Sequence, residues 1–373
     1  MQAQRHPISR PESGGQYQVS SFHFGQPGRG KKVYIQAALH ADEIPGMLVA
    51  QFLRTALLAA EADGSLVGEV VLVPAANPLG LAQAIHGAPF GRFDLSTGTN
   101  FNRAYKHVAE DLKISLAGKL TADADANTAL VRQHALASVA RWQPATDAEA
   151  LKKILLGLAI DADIVLDLHC DNEAAIHIYT GTPLADAVAP LTALLQAHAV
   201  LLALEAGEEP FDEACSRLWW DLASHFGAAT PIPMACLSTT VELRGEMDVS
   251  YELAEKDARA LMAFLAHSGV ITLPALPPLP APLCAPTPLE GVEPLAAPHA
   301  GILVFLQPLG ARLAAGTVVA DLIDPVSGAV TPIRNTVPGV LFARTAHRHL
   351  LRGMAVGKIA GATAFRAGKL LSQ

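Results

Sequence analysis

His40 and Glu43, one imidazole and one carboxylate three residues apart, stand where an apolar run of the chain ends. Both can ligate a metal, and their setting, YIQAALHADEIPGMLVAQFL, suggests how they would be held. Val33 to Leu39 is apolar and partly β-branched or aromatic, as a buried strand should be, and Pro45 opens an apolar periodic segment that reads as a helix. The pair therefore falls on the loop leaving a strand, where open α/β proteins gather their ligands. Two such residues also occur as a plain helix-flanking polar pair, so a third is needed. Ile164 to Leu168 supplies it: this short apolar run ends on His169, with Asp167 and Asp171 on either side. Two imidazoles and a carboxylate, each at a strand end, form the open three-ligand set of catalytic zinc, with a position left for water. Asp167 is the carboxylate placed to orient one of the imidazoles, with a strand-end cap as the alternative.

Alternating strand and helix patterns must carry these groups. Strands are expected at Val70 to Pro74, 176–180, 198–204 and 236–243, and helices at 123–141, 147–160, 185–197, 211–226 and 251–267. The pattern predicts an α/β domain, a mixed or parallel sheet with helices on both faces. Residues 79–110 lack clean periodicity and are rich in Gly, Asn and Arg, which reads as a long ordered loop of functional use. Nine prolines fall in the 25 residues 274–298, a composition that favours extended chain and excludes a helix. The expected domains are thus a zinc-dependent catalytic unit over 1–272, a Pro-rich linker over 273–298 and a small β domain over 299–373. The last is read from short β runs separated by Gly and Pro about every ten residues.

With 373 residues the chain can bury a large core and is long enough for two domains. No apolar run reaches the length of a membrane span, and the polar N-terminus lacks a secretory apolar core, so a soluble, cytoplasmic protein is the expectation. Cys170, Cys215, Cys236 and Cys284 are widely spaced and read as free thiols. A net charge of −8 argues against nucleic acid as a partner. From Thr287 onward the balance reverses, with four acidic and eight basic residues, as expected of separate domains with separate surfaces.

In order along the chain stand His40-x-x-Glu43, Arg92-Phe93-Asp94 leading to Asn102-Arg103, Asp167-Leu168-His169 and Val241-Glu242-Leu243. On these motifs the sequence resembles the succinylglutamate desuccinylase and aspartoacylase family, relatives of the zinc carboxypeptidases, over about residues 33–267. The resemblance implies a three-layer α/β/α domain and one zinc ion held by His40, Glu43 and His169. It implies hydrolysis of a small N-acyl amino acid, with Glu242 moving the proton between water and leaving amine, Arg92 stabilising the oxyanion, and Asn102 and Arg103 holding the α-carboxylate. The C-terminal β domain is similar to the barrel-sandwich fold of biotinyl and lipoyl carriers. Carriers need a lysine on an exposed hairpin, and no lysine stands between Lys256 and Lys358, which argues for a structural or lid role.

One departure bears on substrate. Aspartoacylase-type enzymes have a further arginine about ten residues before the catalytic glutamate, whereas this chain reads PIPMACLSTT there, without a cation. Arg244 and Glu246 could supply polar recognition instead, or pair with each other or with solvent. His86, His107 and His177 are further candidates for substrate contact, Trp219 and Trp220 for packing or a homo-oligomer contact, and Asn77 for shaping the turn at Pro78. Gly25 to Lys31 fits G-x-x-x-x-G-K, but Lys32 replaces the magnesium-binding hydroxyl and the segment precedes a strand. No G-x-S-x-G elbow is present. A metallocarboxypeptidase acting on peptides and a zinc-retaining binding protein without catalysis remain the alternatives. The acyl group, the amino acid and the choice of zinc over another divalent metal are not legible in the sequence.

Overall fold

The computed structural model describes residues 1–9, 15–367 and 370; part of the polar N-terminal lead and the far end of the last domain lie outside them. A nine-stranded sheet forms the centre of the molecule. Its order is Gln2–Pro7, Gln18–Gly25, Glu69–Val73, Lys32–Ala37, Ile164–Asp171, Leu237–Gly245, His177–Gly181, Ala199–Ala203 and Thr287–Pro288. The four adjacent strands from Glu69–Val73 to Leu237–Gly245 are mutually parallel, and antiparallel pairs flank them, so the sheet is mixed.

Successive apolar residues of the central strands serve different cores, which is why those strands read as continuous apolar runs. Val33, Ile35, Leu166 and Leu168 pack under the helices Pro45–Ala62, Ala185–Leu195 and Tyr251–His267. Tyr34, Val71 and Val165 face the opposite layer, built with Ala109–Leu116, Ala124–Arg141, Asp147–Ala159 and Phe211–Phe226. Three layers result, as expected. Gln2–Pro7 escapes sequence reading because it is an exposed edge with no apolar face, and Gln18–Gly25 because its buried Val19 and Phe24 stand among polar residues.

A small β unit follows, with one sheet ordered Val292–Ala296, Ala355–Gly361, Gly339–Arg344, Arg312–Leu313 and another ordered Val330–Arg334, Val318–Ile323, Gly301–Phe305, His349–Leu350. The Pro-rich stretch is more than a linker. Thr287–Pro288 adds an edge strand to the main sheet, a place where proline costs no ladder hydrogen bond, and Val292–Ala296 already belongs to the small unit. The two bodies are joined where Glu173 and Ala174 pair with Arg344 and Ala343. An apolar seam that includes Leu201, Leu289 and Phe342 covers the join. Among the described residues no helix is long and apolar enough to cross a membrane.

Candidate metal centre

The loop bearing His40 and Glu43 is held from three sides. Ala38, at φ +58°, turns the chain sharply beyond the strand Lys32–Ala37. Asn77 donates to the Leu39 carbonyl at 2.9 Å and accepts from the Gly80 amide at 2.8 Å, so its turn at Pro78 also anchors the neighbouring loop. The Ala41 amide donates to the Gly91 carbonyl at 3.0 Å. Gly91 is close enough that a Cβ there would lie 2.2 Å from the Asp42 nitrogen, so glycine is required by packing.

His40, Glu43 and His169 are buried together, each offering one ligand atom within 4.8 Å of the others. His40 Nδ1 lies 2.8 Å from one Glu43 oxygen and His169 Nδ1 lies 2.6 Å from the other. The outer nitrogens are engaged elsewhere. His40 Nε2 is 2.8 Å from Asn100 Oδ1, and His169 Nε2 is 2.9 Å from Asp167 Oδ2. The Asn100 oxygen at Nε2 favours the His40 tautomer whose Nδ1 lone pair faces the cluster, the arrangement a metal site uses, and the Asp167 carboxylate stands in the corresponding place beside His169. Behind Asp167 a buried chain continues, with Gln36 donating to it at 3.0 Å and Tyr34 donating to Gln36 at 2.8 Å.

For His40 and Glu43, ionisation agrees with this role. Burial, then Arg92, pushes His40 down to about 4, so it is a neutral ligand. Burial works against the charge on Glu43, yet His40 and His169 outweigh it and hold the carboxyl well below its usual range. Burial likewise opposes a charged His169, but Asp167 and then Glu43 raise it well above the ordinary imidazole, so it would have to give up a proton to serve as a ligand. The donor set, two imidazoles and an ionised carboxylate buried together, fits a divalent cation such as zinc.

A cavity of about 310 Å³ opens beside the cluster, and its walls include His40, Arg92, Asn102, Arg103, His169 and Glu242. Glu242 lies opposite His169 in the parallel pair and opposite His177 in the antiparallel one. One of its oxygens is buried with no hydrogen-bond partner among the described residues. Burial, then the Glu43 charge, pushes its carboxyl up to about 8. Arg92 Nη1 lies 3.2 Å from Glu43 and 3.3 Å from His40 Nδ1. Asn102 accepts from the Phe211 amide at 2.9 Å and brings its Nδ2 to 3.5 Å from His169 Nε2. Arg103 donates to the Asn102 carbonyl at 2.7 Å and lies 3.7 Å from Glu208.

Arg244 is not brought to this cavity. It sits at φ +70° in an irregular stretch of the strand pairing between Glu242 and Gly245, and its guanidinium is paired with Asp257 on the helix Tyr251–His267. Glu246 accepts from Asn172 at 2.6 Å, so the two do not pair with each other. His177 is buried against Phe342, His86 lies in an exposed hairpin turn, and His107 packs away from the cavity. Trp219 is buried in the helical core, and Trp220 lies against Gly181.

Sequence reading missed several groups. Asn100 holds His40, and Lys152, only 2% exposed, reaches the Asn100 carbonyl at 3.4 Å from beneath the loop. Lys152 falls within the buried stripe Leu151, Lys152, Leu155, Leu156, and a lysine on an apolar helix face is the signal that could have found it. From the β unit come Arg344 and Lys358, both in the cavity wall, paired with Glu173 and Asp171 at 2.7 Å each. The cations absent from PIPMACLSTT are thus present, but they arrive from the other domain and with acidic partners. Asp212 and Glu213 line the cavity too.

Comparison with known proteins agrees with the geometry. Residues 29–143 match the sequence model of the succinylglutamate desuccinylase/aspartoacylase catalytic domain. No curated protein matches the chain. Among solved structures, a protein described as a succinylglutamate desuccinylase/aspartoacylase family member from Shewanella amazonensis SB2B superposes with a TM-score of 0.84 at 26% identity, covering 96% of this chain and 98% of its own. A similarly described protein from Shewanella frigidimarina NCIMB 400 gives 0.83 and 26%, covering 96% of each chain. A succinylglutamate desuccinylase/aspartoacylase from Rhodobacter sphaeroides shares the fold at 17% identity, with a TM-score of 0.66 over 96% of this chain and 95% of its own.

Proposed function

We infer that this chain, a member of the succinylglutamate desuccinylase/aspartoacylase family, hydrolyses the amide bond of a small N-acyl amino acid, with zinc held by His40, Glu43 and His169. Bound there, zinc would supply Lewis acidity, acidifying a water and polarising the scissile carbonyl. Glu242 would take the water's proton and pass it to the departing amine. An elevated pKa suits that exchange, because a carboxyl near neutrality both accepts and releases a proton at working pH. Arg92 offers a fixed cation beside the ligands for the charge that develops on the carbonyl oxygen. Arg103, steadied by the Asn102 carbonyl, offers a guanidinium fork to the α-carboxylate.

The observation that carries this reading is Glu242 in the cavity wall, across the strand pair from His169 and with one oxygen unpartnered. A small substrate is favoured over a peptide because Arg344, Thr345 and Lys358 of the β unit wall the cavity, whose volume is at the small-molecule end of ligand sites. The test is Glu242→Gln, with zinc content and release from N-acetyl and N-succinyl amino acids measured side by side. Zinc retained with release lowered on the order of 10²–10⁴-fold is expected. Undiminished release from the variant, or equal turnover of peptides, would overturn the reading.

A further inference from the structure

Two acidic side chains of the cavity wall stand outside its salt bridges. Each cation in the wall has an acidic neighbour: Arg92 with Glu43, Arg103 with Glu208, Arg344 with Glu173 and Lys358 with Asp171. Among the described residues, none of the ion pairs involves Asp212 or Glu213, which line the same cavity. These two are adjacent in the first turn of the helix Phe211–Phe226, 8% and 7% exposed. Glu213 accepts the Ala206 amide at 2.5 Å through one oxygen, while the other is buried with no hydrogen-bond partner among the described residues. The Ala206 amide, in the loop before the helix, accounts for one Glu213 oxygen and leaves the second without a partner among the described residues. A buried polar atom so placed is costly unless a partner arrives from elsewhere.

Position indicates which part of a substrate would bring that donor. The Phe211 amide is bonded to Asn102, whose other end lies beside His169, and Arg103 is the next residue. The acidic pair therefore stands at the end of the cavity where Arg103 would hold a carboxylate, one side chain removed from the ligand cluster. A ligand matching this end carries a carboxylate and a cationic amine a few carbons apart.

Resting on the hydrolase reading above, we propose that the substrate is an N-monoacylated diamino acid, whose unacylated ammonium is received by Asp212 and Glu213. Either amine could carry the acyl group, leaving the ammonium on the side chain or at the α-carbon; the chemistry at the acidic pair is the same. An acidic substrate would instead place a carboxylate against two carboxyl groups.

Release should be measured from Nα-acetylornithine, Nδ-acetylornithine, N-acetylnorvaline and N-acetylglutamate by the zinc-loaded full chain, with calorimetric binding of ornithine and norvaline alongside. An acetylornithine isomer is expected to exceed acetylnorvaline at least tenfold in kcat/KM, and the isomer preferred tells which amine is acylated. Ornithine should bind at least tenfold more tightly than norvaline. Both ratios should fall at least tenfold in Glu213→Gln, which keeps the acceptor for Ala206, and in Asp212→Asn. Circular dichroism checks that each variant is folded, and a fold lost in one leaves the other to decide. Equal use of norvaline and ornithine derivatives, a preference for acetylglutamate, or ratios unchanged in folded variants would overturn the proposal. Ornithine discrimination without release from any substrate would keep the acidic subsite and refute the hydrolase reading instead.

Discussion

Replacing Asn100 by alanine should weaken zinc binding although Asn100 is not a ligand. Its Oδ1 lies 2.8 Å from His40 Nε2 and also accepts the Asn102 amide at 2.8 Å, with all three residues buried. Without it the imidazole loses the contact that fixes its tautomer and ring angle, and Nδ1 is no longer held toward Glu43. Loss of such an outer contact typically costs roughly 10–100-fold in metal affinity. At about 1.36 kcal/mol per decade, that is about 1.4–2.7 kcal/mol. Two buried donors are also left unpaired, each at about 1–3 kcal/mol, so the metal-free protein should melt several degrees lower. Asn100→Asp retains the acceptor and should keep affinity within about threefold, or tighten it, since a carboxylate makes the ligand more basic. The assay is competition with a chromophoric zinc chelator, with circular dichroism to confirm folding. Affinity of the alanine variant within twofold of wild type would refute the orienting role of Asn100.

Gly91→Ala should displace the His40 loop, because the added Cβ would meet the Asp42 nitrogen and the Ala41 backbone; zinc affinity is expected to fall at least tenfold by the same competition, on the order of an outer-contact loss. Gly157→Ala, whose Cβ would make only an ordinary contact in a helix interior, should instead stabilise by about 0.5–1 kcal/mol in urea melts. Burial, then Asp212, pushes the Glu213 carboxyl up to about 8, so the native state binds its proton more tightly than the unfolded chain. Its effect on stability is therefore unpenalised below about pH 4.3 and grows unfavourable as pH rises through about 8. Thermal melts from pH 5 to 9 should show wild type losing more stability than Glu213→Gln, and parallel curves would contradict this. Lys358→Met strips Asp171 of its partner across the domain join; with about a quarter of each side chain accessible, the expected loss is about 1–3 kcal/mol, read as a lower urea midpoint.

The parallel centre of the sheet was legible because its strands are apolar on both faces and end on chemically distinctive residues. Val33 to Leu39 and Ile164 to Leu168 carry His40, Glu43 and His169 into one cluster, and nothing in that inference required long-range packing. The helices were legible for a similar reason: Thr146 accepts the Glu149 amide as a cap, and Ser250 likewise accepts from Leu253. What sequence order could not convey is which distant elements close the cavity. Lys358 is nearly 190 residues beyond Asp171 along the chain, yet its ammonium lies 2.7 Å from that carboxylate. Asp212 and Glu213 are first-turn acids of the helix Phe211–Phe226, and only the fold reveals that they lie against the cavity. Arg244 illustrates the opposite error. Its proximity to Glu242 in sequence suggested shared work, but the left-handed turn at Arg244 sends the guanidinium to Asp257.

The most direct test of metal-dependent acyl hydrolysis is a zinc titration of chelator-stripped protein, following amino-acid release from a panel of N-acyl amino acids. Release should rise linearly and saturate at about one equivalent of zinc, as expected of one three-ligand site. His169→Ala should abolish both tight binding and release. Tight zinc binding with no release from any member of the panel, or release that persists unchanged in stripped protein, would contradict the function assigned to His40, Glu43 and His169.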